Sequence, residues 1–227
     1  MHIILFDIDG TLLHSGGAGQ GGIERALELA FGVTAPTDGI PTAGRTDRGI
    51  GRDLIRFHGL EECDTTLARL QETYLRVLPD ELASRQGVVY PGVRELLTRL
   101  SRREDVRLGL LTGNYREAAW QKLRHYGLAE HFAFGGFGDD HADRDDVARQ
   151  ALAAAAEHHA PQTIDREKLW VIGDTPADVR CGRAIGARVI AVATGMYSME
   201  ELSQSAPDHL FADFADVESV FSLWSST

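Results

Sequence analysis

Two aspartates one residue apart, Asp7 and Asp9, follow the apolar run His2–Phe6 and lead into Gly10-Thr11. Two more, Asp174 and Asp178, follow the apolar run Lys168–Ile172. Between these pairs, Thr112-Gly113-Asn114 follows the run Val106–Leu111. A single acidic strand end can serve as a helix N-cap. Two runs that each end in an Asp pair, with a Thr-Gly between them, ask for more than capping. Four carboxylates sharing one mouth repel one another: two unit charges about 4 Å apart cost about 4 kcal/mol at an effective dielectric near 20. A hard divalent cation with oxygen ligands and retained waters, most simply Mg²⁺, offsets that repulsion. The set also has a matching chemistry. One carboxylate can attack phosphorus to form an aspartyl-phosphate. A second, two residues on, can protonate the leaving oxygen and then activate the hydrolytic water. A hydroxyl and backbone N–H groups can bind the transferring phosphoryl oxygens.

Such residues converge only if the runs that carry them lie side by side. His2–Phe6, Val106–Leu111, Lys168–Ile172 and Arg188–Val192 read as buried strands, and a shorter run near His131–Gly135 reads as a possible edge strand. Helical patterns lie between them: Val93–Arg102, Tyr115–Tyr126, Asp145–His159, Pro176–Ile185 and Ser198–Ser205. Strand–helix alternation with apolar strands predicts an α/β fold, a doubly wound parallel sheet of Rossmann-like type covered on both faces. In such a sheet ligands sit outside the carboxyl ends of the strands, where all these residues lie. One interval breaks the rhythm. The chain between the first two strands far exceeds what a crossover needs, and it reads as helices: Gly22–Phe31, Asp47–Phe57, Glu61–Val77 and Asp80–Arg85. Residues 15–86 are therefore expected to be an inserted helical domain, with residues 1–14 and 87–227 forming the α/β core. The glycine-rich entrance Ser15–Gly22 lacks the Gly-Lys-Ser/Thr ending of a phosphate loop and is expected to be a flexible hinge.

Composition narrows the partners. With 23 Lys and Arg against 34 Asp and Glu, the 227-residue chain carries a formal charge of −11, a poor match to nucleic acid or an anionic membrane. An anionic small molecule remains compatible if a cation is recruited locally. Hydrophobic residues, 43% of the chain, suffice for a core, and no apolar run approaches the roughly 20 residues that span a bilayer. The run before Asp7 is too short for a signal peptide, so a cytoplasmic location is expected. Cys63 and Cys181 are too few for a disulfide framework or a zinc site. Oligomeric state is not readable.

Asp7-Ile-Asp9-Gly-Thr11, Leu111-Thr-Gly-Asn114 and Gly173-Asp-Thr-Pro-Ala-Asp178 resemble, in order, three of the four signature motifs of the haloacid dehalogenase superfamily, and most closely its phosphoglycolate-phosphatase-like branch. The insertion after the first motif resembles that superfamily's helical cap. The resemblance implies Asp7 as nucleophile and metal ligand, and Asp9 as general acid/base with its backbone carbonyl on the metal. It implies Thr112 and the Gly113 amide, beside Asn114, as holders of phosphate oxygens. Asp174 would bind the metal directly, and Asp178 directly or through water. The implied activity is Mg²⁺-dependent hydrolysis of a small phosphomonoester. A sugar phosphomutase on the same core and a non-catalytic phosphate-ligand binding protein are the alternatives. A phosphonatase is disfavoured because residues 15–86 contain no Lys for a Schiff base.

The remaining motif departs from the pattern. The family usually places a Lys between the second and fourth motifs, but the chain's only lysines are Lys122, on the helix after Asn114, and Lys168, at the far end of the strand leading to Asp174. Neither is expected at the mouth. The expected substitute is Arg144, in Asp139-Asp-His-Ala-Asp-Arg-Asp-Asp146, whose planar fork can bridge carboxylate and phosphate. The flanking acids lack a Ca²⁺-loop register and read as helix N-terminal residues. Within the insert, Ala43-Gly-Arg-Thr-Asp-Arg48 resembles the cap loop that faces the catalytic mouth. There Arg45 is a candidate for an anionic substrate group, and Thr46 or Asp47 either helps bind substrate or simply caps a helix.

Overall fold

A computed structural model describes residues 1–35, 37, 39–161 and 163–224. In chain order the elements are β1 (His2–Phe6), β2 (Leu13–His14), α1 (Ala18–Phe31), α2 (Asp47–Phe57), α3 (Asp64–Ser84), β3 (Val88–Val89), α4 (Val93–Ser101), β4 (Val106–Leu111), α5 (Arg116–His125), β5 (Phe134–Gly136), α6 (Arg144–His159), β6 (Leu169–Gly173), α7 (Pro176–Ala184), β7 (Arg188–Val192), α8 (Met199–Ser203), β8 (His209–Phe211) and α9 (Val217–Phe221). Six strands pair in parallel in the order β5-β4-β1-β6-β7-β8. The α/β doubly wound sheet expected from the sequence is the fold observed.

Side-chain alternation along buried strands builds the two faces. Ile4 and Phe6 of β1 face one way, into a cluster with Leu108, Leu110, Trp170, Leu97 and Leu123. Ile3 and Leu5 face the other, with Val171, Val189, Val147 and Ala151. The central strand β1 lies between β4 and β6, so Asp7, Thr112 and Asp174 emerge from three adjacent strand ends. Successive strands run outward from β1 first toward β5, then on the other side toward β8. The crevice opens where that order reverses.

The insert has its own apolar core, in which Ala26, Leu27, Leu54, Ile55, Leu70, Tyr74 and Leu78 pack together and meet Tyr115 and Ala118 of the α/β part. The chain leaves through β2 and returns through β3, which pair antiparallel. Two expectations change here. The segments expected as separate helices on either side of Pro79 form the single helix α3, because Tyr74, Leu78 and Leu82 continue one buried stripe across the proline. The glycine-rich entrance is also less of a hinge than expected. Only Gly16 and Gly17 take left-handed backbone, while Gly19, Gly21 and Gly22 lie inside α1. A side chain on Gly22 would press on the Tyr74 ring, at 3.0 Å, so this glycine lets α1 approach α3.

Beyond Val192 the sequence predicts the helix near Ser198 and no further element. The structure adds β8 at the sheet edge, α9, and a final 3₁₀ turn, Ser222–Trp224. Trp224 is buried and meets Trp170 edge-to-face, with ring centroids 5.6 Å apart. Among the described residues no helix is long and apolar enough to cross a membrane. Trp224→Ala is expected to destabilise the protein by about 3–5 kcal/mol, read from denaturant unfolding. A loss under about 1 kcal/mol would mean that this turn is not part of the core.

Candidate active site

Asp7 follows β1 directly, and its N–H continues the ladder by donating to the Ile172 carbonyl of β6 at 2.9 Å. Its carboxylate is buried with those of Asp174 and Asp178, and one oxygen from each lies within 4.8 Å of the others. Thr175 caps α7, accepting from the Asp178 N–H, while Asp178 Oδ2 accepts from the Thr175 N–H and hydroxyl at 3.0 and 2.7 Å. This reciprocal capping box fixes Asp178 one turn into the helix. Asp174 Oδ1 accepts from the Thr11 hydroxyl at 2.9 Å. Burial raises the pKa of Asp7, which Arg144 opposes and Asp178 and Asp9 reinforce. Burial, then Asp178 and Asp7, raise that of Asp174. A buried cluster of this kind needs positive charge, and three carboxylates suit a hard, oxygen-preferring cation.

Part of that charge is built in. Arg144 opens α6 behind the N-cap Asp143. Its buried guanidinium bonds Asp178 Oδ1 and lies 3.6 Å from Asp7 Oδ1. Among the described residues its buried Nε has no hydrogen-bond partner, and the Cys181 thiol lies beside the guanidinium. Lys168 lies at the opposite end of the sheet, just before β6.

Lys122 requires a correction. Expected away from the mouth, it is buried within it. Its Nζ donates to Asp9 Oδ2 at 2.5 Å and to Asn114 Oδ1 at 2.6 Å. The reason is directional: helical side chains tilt toward the helix N-terminus. A long side chain two turns into α5 therefore reaches back to the strand end from which the helix starts. Linear spacing from Asn114 did not reveal this, although Ala118, Ala119, Lys122 and Leu123 share the buried face of α5. Asn114 is likewise committed, since its Nδ2 donates to Asp9 Oδ2 and Thr112 Oγ1, each at 2.8 Å. The Asp9 carboxyl thus turns toward Lys122 and Asn114, apart from the three clustered carboxylates.

The loop before α2 closes over these residues. Asp47 N–H donates to the Gly113 carbonyl at 2.7 Å, and Tyr115 N–H donates to Asp47 Oδ2 at 2.8 Å. Asp139 takes the next helical N–H, that of Arg116, at 2.7 Å. Carboxylates from the start of α2 and from the loop after β5 thereby satisfy the N–H groups that open α5. Burial pushes Asp47 up to about 6, against the pull of Lys122 and the Tyr115 N–H. Thr46 takes its capping alternative: its hydroxyl accepts from Gly49 N–H at 3.1 Å, lies 3.3 Å from the Ala142 carbonyl, and is fully buried. Thr46 is not on the cavity wall. Arg45 is, but its guanidinium is held by Asp53 Oδ2 at 2.6 Å and the Pro41 carbonyl at 3.1 Å.

Between loop and core lies a cavity of about 490 Å³ that brings together Asp7, Asp9, Thr112, Gly113, Asn114, Lys122, Arg144 and Asp174. Its far wall is largely neutral, with Gln20, Ile23, Ile50, Tyr74, Tyr90 and Met196.

Comparison with known proteins agrees with this architecture. Residues 1–186 match the haloacid dehalogenase-like hydrolase family. A phosphoglycolate phosphatase of Rhodospirillum rubrum is 32% identical over 94% of this chain and 88% of its own. One from Nitrosococcus oceani is 25% identical over 97% and 96%. The solved structure of CbbY from Rhodobacter sphaeroides in complex with phosphate shares the fold, with a TM-score of 0.70 at 20% identity over 96% of each chain. The chain belongs to the haloacid dehalogenase-like hydrolases. Within them it falls in the phosphoglycolate-phosphatase-like branch, as a phosphatase.

Gly113 gives this closure a direct test. A Cβ there would collide with the Arg45 carbonyl and sit 3.1 Å from Thr46 Cα, both rigid backbone. Gly113→Ala is expected to lift the loop and lower kcat/KM by roughly a hundredfold, as misplacement of about 1 Å can, while circular dichroism shows an intact fold. Activity equal to the parent would show that catalysis does not require this approach of the loop.

Proposed function

We propose that the protein is a Mg²⁺-dependent phosphomonoesterase that hydrolyses a small phosphate ester through an aspartyl-phosphate on Asp7. The observation that carries this reading is the Asp7 carboxylate, buried at the sheet crevice between the Arg144 guanidinium and the carboxylates of Asp174 and Asp178. Asp7 and Asp174 would hold the cation, with Asp178 beside them and the Asp9 backbone carbonyl completing the set. Bound Mg²⁺ would supply charge neutralisation for the phosphoryl group and the nucleophile.

An Asp7 oxygen attacks phosphorus as the bond to the leaving oxygen breaks. Asp9 delivers its proton to that oxygen, then takes one from the water that attacks the aspartyl-phosphate and releases inorganic phosphate. The Thr112 hydroxyl, the Gly113 N–H and the guanidinium of Arg144 bind the phosphoryl oxygens. The place of Arg144 on the cavity wall, 3.6 Å from Asp7 Oδ1, supports this role. Residues 15–86 act as the cap over a core of residues 1–14 and 87–227, in a cytoplasmic enzyme. The substrate of the named relatives makes phosphoglycolate the first ester to assay, with sugar phosphates beside it to separate phosphatase from phosphomutase.

Asp7→Asn keeps side-chain volume but removes the attacking charge, so turnover of p-nitrophenyl phosphate should vanish with the fold intact. Near-parental turnover would rule out the covalent route. Excess chelator should abolish activity and Mg²⁺ should restore it; undiminished activity in chelator would contradict the metal assignment. Losing a buried charge-assisted contact to phosphate costs about 2–5 kcal/mol, very roughly thirty- to several-thousand-fold in rate, and the expected loss in kcat/KM for Arg144→Ala is at least about a hundredfold. Arg144→Lys should recover part of the loss, while Arg149→Ala, at an exposed residue paired with Asp146, should change little. An Arg144→Ala enzyme within about threefold of the parent would place the phosphate-binding cation elsewhere.

A further inference from the structure

Lys122 is a buried cation in the catalytic mouth, yet its contacts differ in kind from those of Arg144. Arg144 bonds Asp178 and lies beside Asp7. Lys122 bonds Asp9 Oδ2 and Asn114 Oδ1. The two hydrogen bonds to the Asp9 carboxyl, from Lys122 Nζ and Asn114 Nδ2, land on the same oxygen, Oδ2, at 2.5 and 2.8 Å. A carboxyl oxygen offers two lone pairs, so Oδ2 is filled. Among the described residues no hydrogen bond reaches Oδ1, and a proton carried by Asp9 has its place there. Asn114 extends the brace by donating to Thr112 Oγ1 at 2.8 Å. The ammonium is in turn enclosed by the insert: a Cβ on Gly19 of α1 would sit 3.7 Å from Nζ and 3.8 Å from the Tyr74 hydroxyl.

We infer that Lys122 is a positioning residue for Asp9: with Asn114 it pins Oδ2 and presents Oδ1 to the leaving oxygen, a task separate from the phosphate and nucleophile contacts of Arg144. The inference rests on the proposed acid/base role of Asp9. In the first half-reaction the Asp7–phosphorus bond forms, the bond from phosphorus to the leaving oxygen breaks, and the Oδ1 proton passes to that oxygen. Loss of Lys122 frees the Asp9 carboxyl to rotate, so the proton is delivered poorly while the attack by Asp7 is intact. The penalty therefore depends on how much the leaving group needs the proton. An alkoxide needs it greatly and a nitrophenolate hardly at all.

The experiment compares kcat/KM, which reports on the first phosphoryl transfer, for an alkyl phosphate and for p-nitrophenyl phosphate, in the Mg²⁺-loaded parent, Lys122→Met, Lys122→Gln and Asp9→Asn enzymes. The inhibition constant of inorganic phosphate is measured alongside. Both Lys122 variants are expected to lose at least about thirtyfold more on the alkyl than on the aryl ester, a partial loss of the 10²- to 10⁴-fold that general acid catalysis typically contributes. The inorganic phosphate constant should stay within about threefold of the parent. Asp9→Asn should show the same selectivity, more strongly. Equal losses on both esters, or a weakened hold on inorganic phosphate, would make Lys122 a phosphate-binding cation and overturn the inference. Failure of both Lys122 variants to fold would make it a structural prop and overturn it equally. If Asp9→Asn shows no leaving-group dependence, the acid role of Asp9 is what fails; if Asp9→Asn shows it and the Lys122 variants do not, only the positioning role fails.

Discussion

The architecture depends on concentrated negative charge. Asp7, Asp174 and Asp178 are forced together because β1 and β6 are neighbours and α7 starts one step beyond β6. Buried together, they repel one another at a cost, and the guanidinium of Arg144 is the protein's own answer. It arrives on the first turn of α6, from a loop rich in acids that serves the helix N-terminus: Asp143 caps α6, accepting from the Asp145 N–H at 3.0 Å. Removing Arg144 would take away the cation that bonds Asp178 and lies beside Asp7.

The same constraint explains why the mouth has two cations with separate duties. Asp9 stands apart from the three clustered carboxylates and carries its own counter-charge, Lys122. The insert completes both arrangements from above. Its loop is tied to Gly113 and Tyr115 through Asp47, so closure and the alignment of Thr112-Gly113-Asn114 are mechanically linked. The insert and the strand ends thus meet through one backbone hydrogen bond and one bond to the Asp47 carboxylate, while the far wall of the cavity is largely neutral.

What was legible in the sequence follows from how locally each feature is encoded. The strands that carry Asp7, Thr112 and Asp174 are buried on both faces, so they read as unbroken apolar runs and their ends could be placed within a residue. The capping alternative at Thr46 is local too. Arg144 could be nominated because a buried acidic mouth demands a cation. Lys122 was misjudged because its reach depends on side-chain direction along a helix, which residue order does not carry. Asp47 was legible as a cap but not as a clamp, since its partners at Gly113 and Tyr115 lie more than sixty residues away. The edge strand β8 and the Trp224 turn were missed because short, half-buried elements lack periodicity. Pro79 misled in the opposite sense, marking a break that tertiary packing overrides.

The central claim is that the two cations divide the work, Arg144 serving nucleophile and phosphate, Lys122 serving the acid. A crystal structure of the protein with Mg²⁺ and vanadate, a mimic of the transferring phosphoryl group, tests it in one view. The account predicts vanadium next to an Asp7 oxygen, Arg144 bonded to a vanadate oxygen, and Lys122 still on Asp9 Oδ2 and Asn114. A structure with Lys122 swung onto the vanadate and Arg144 confined to Asp178 would contradict it.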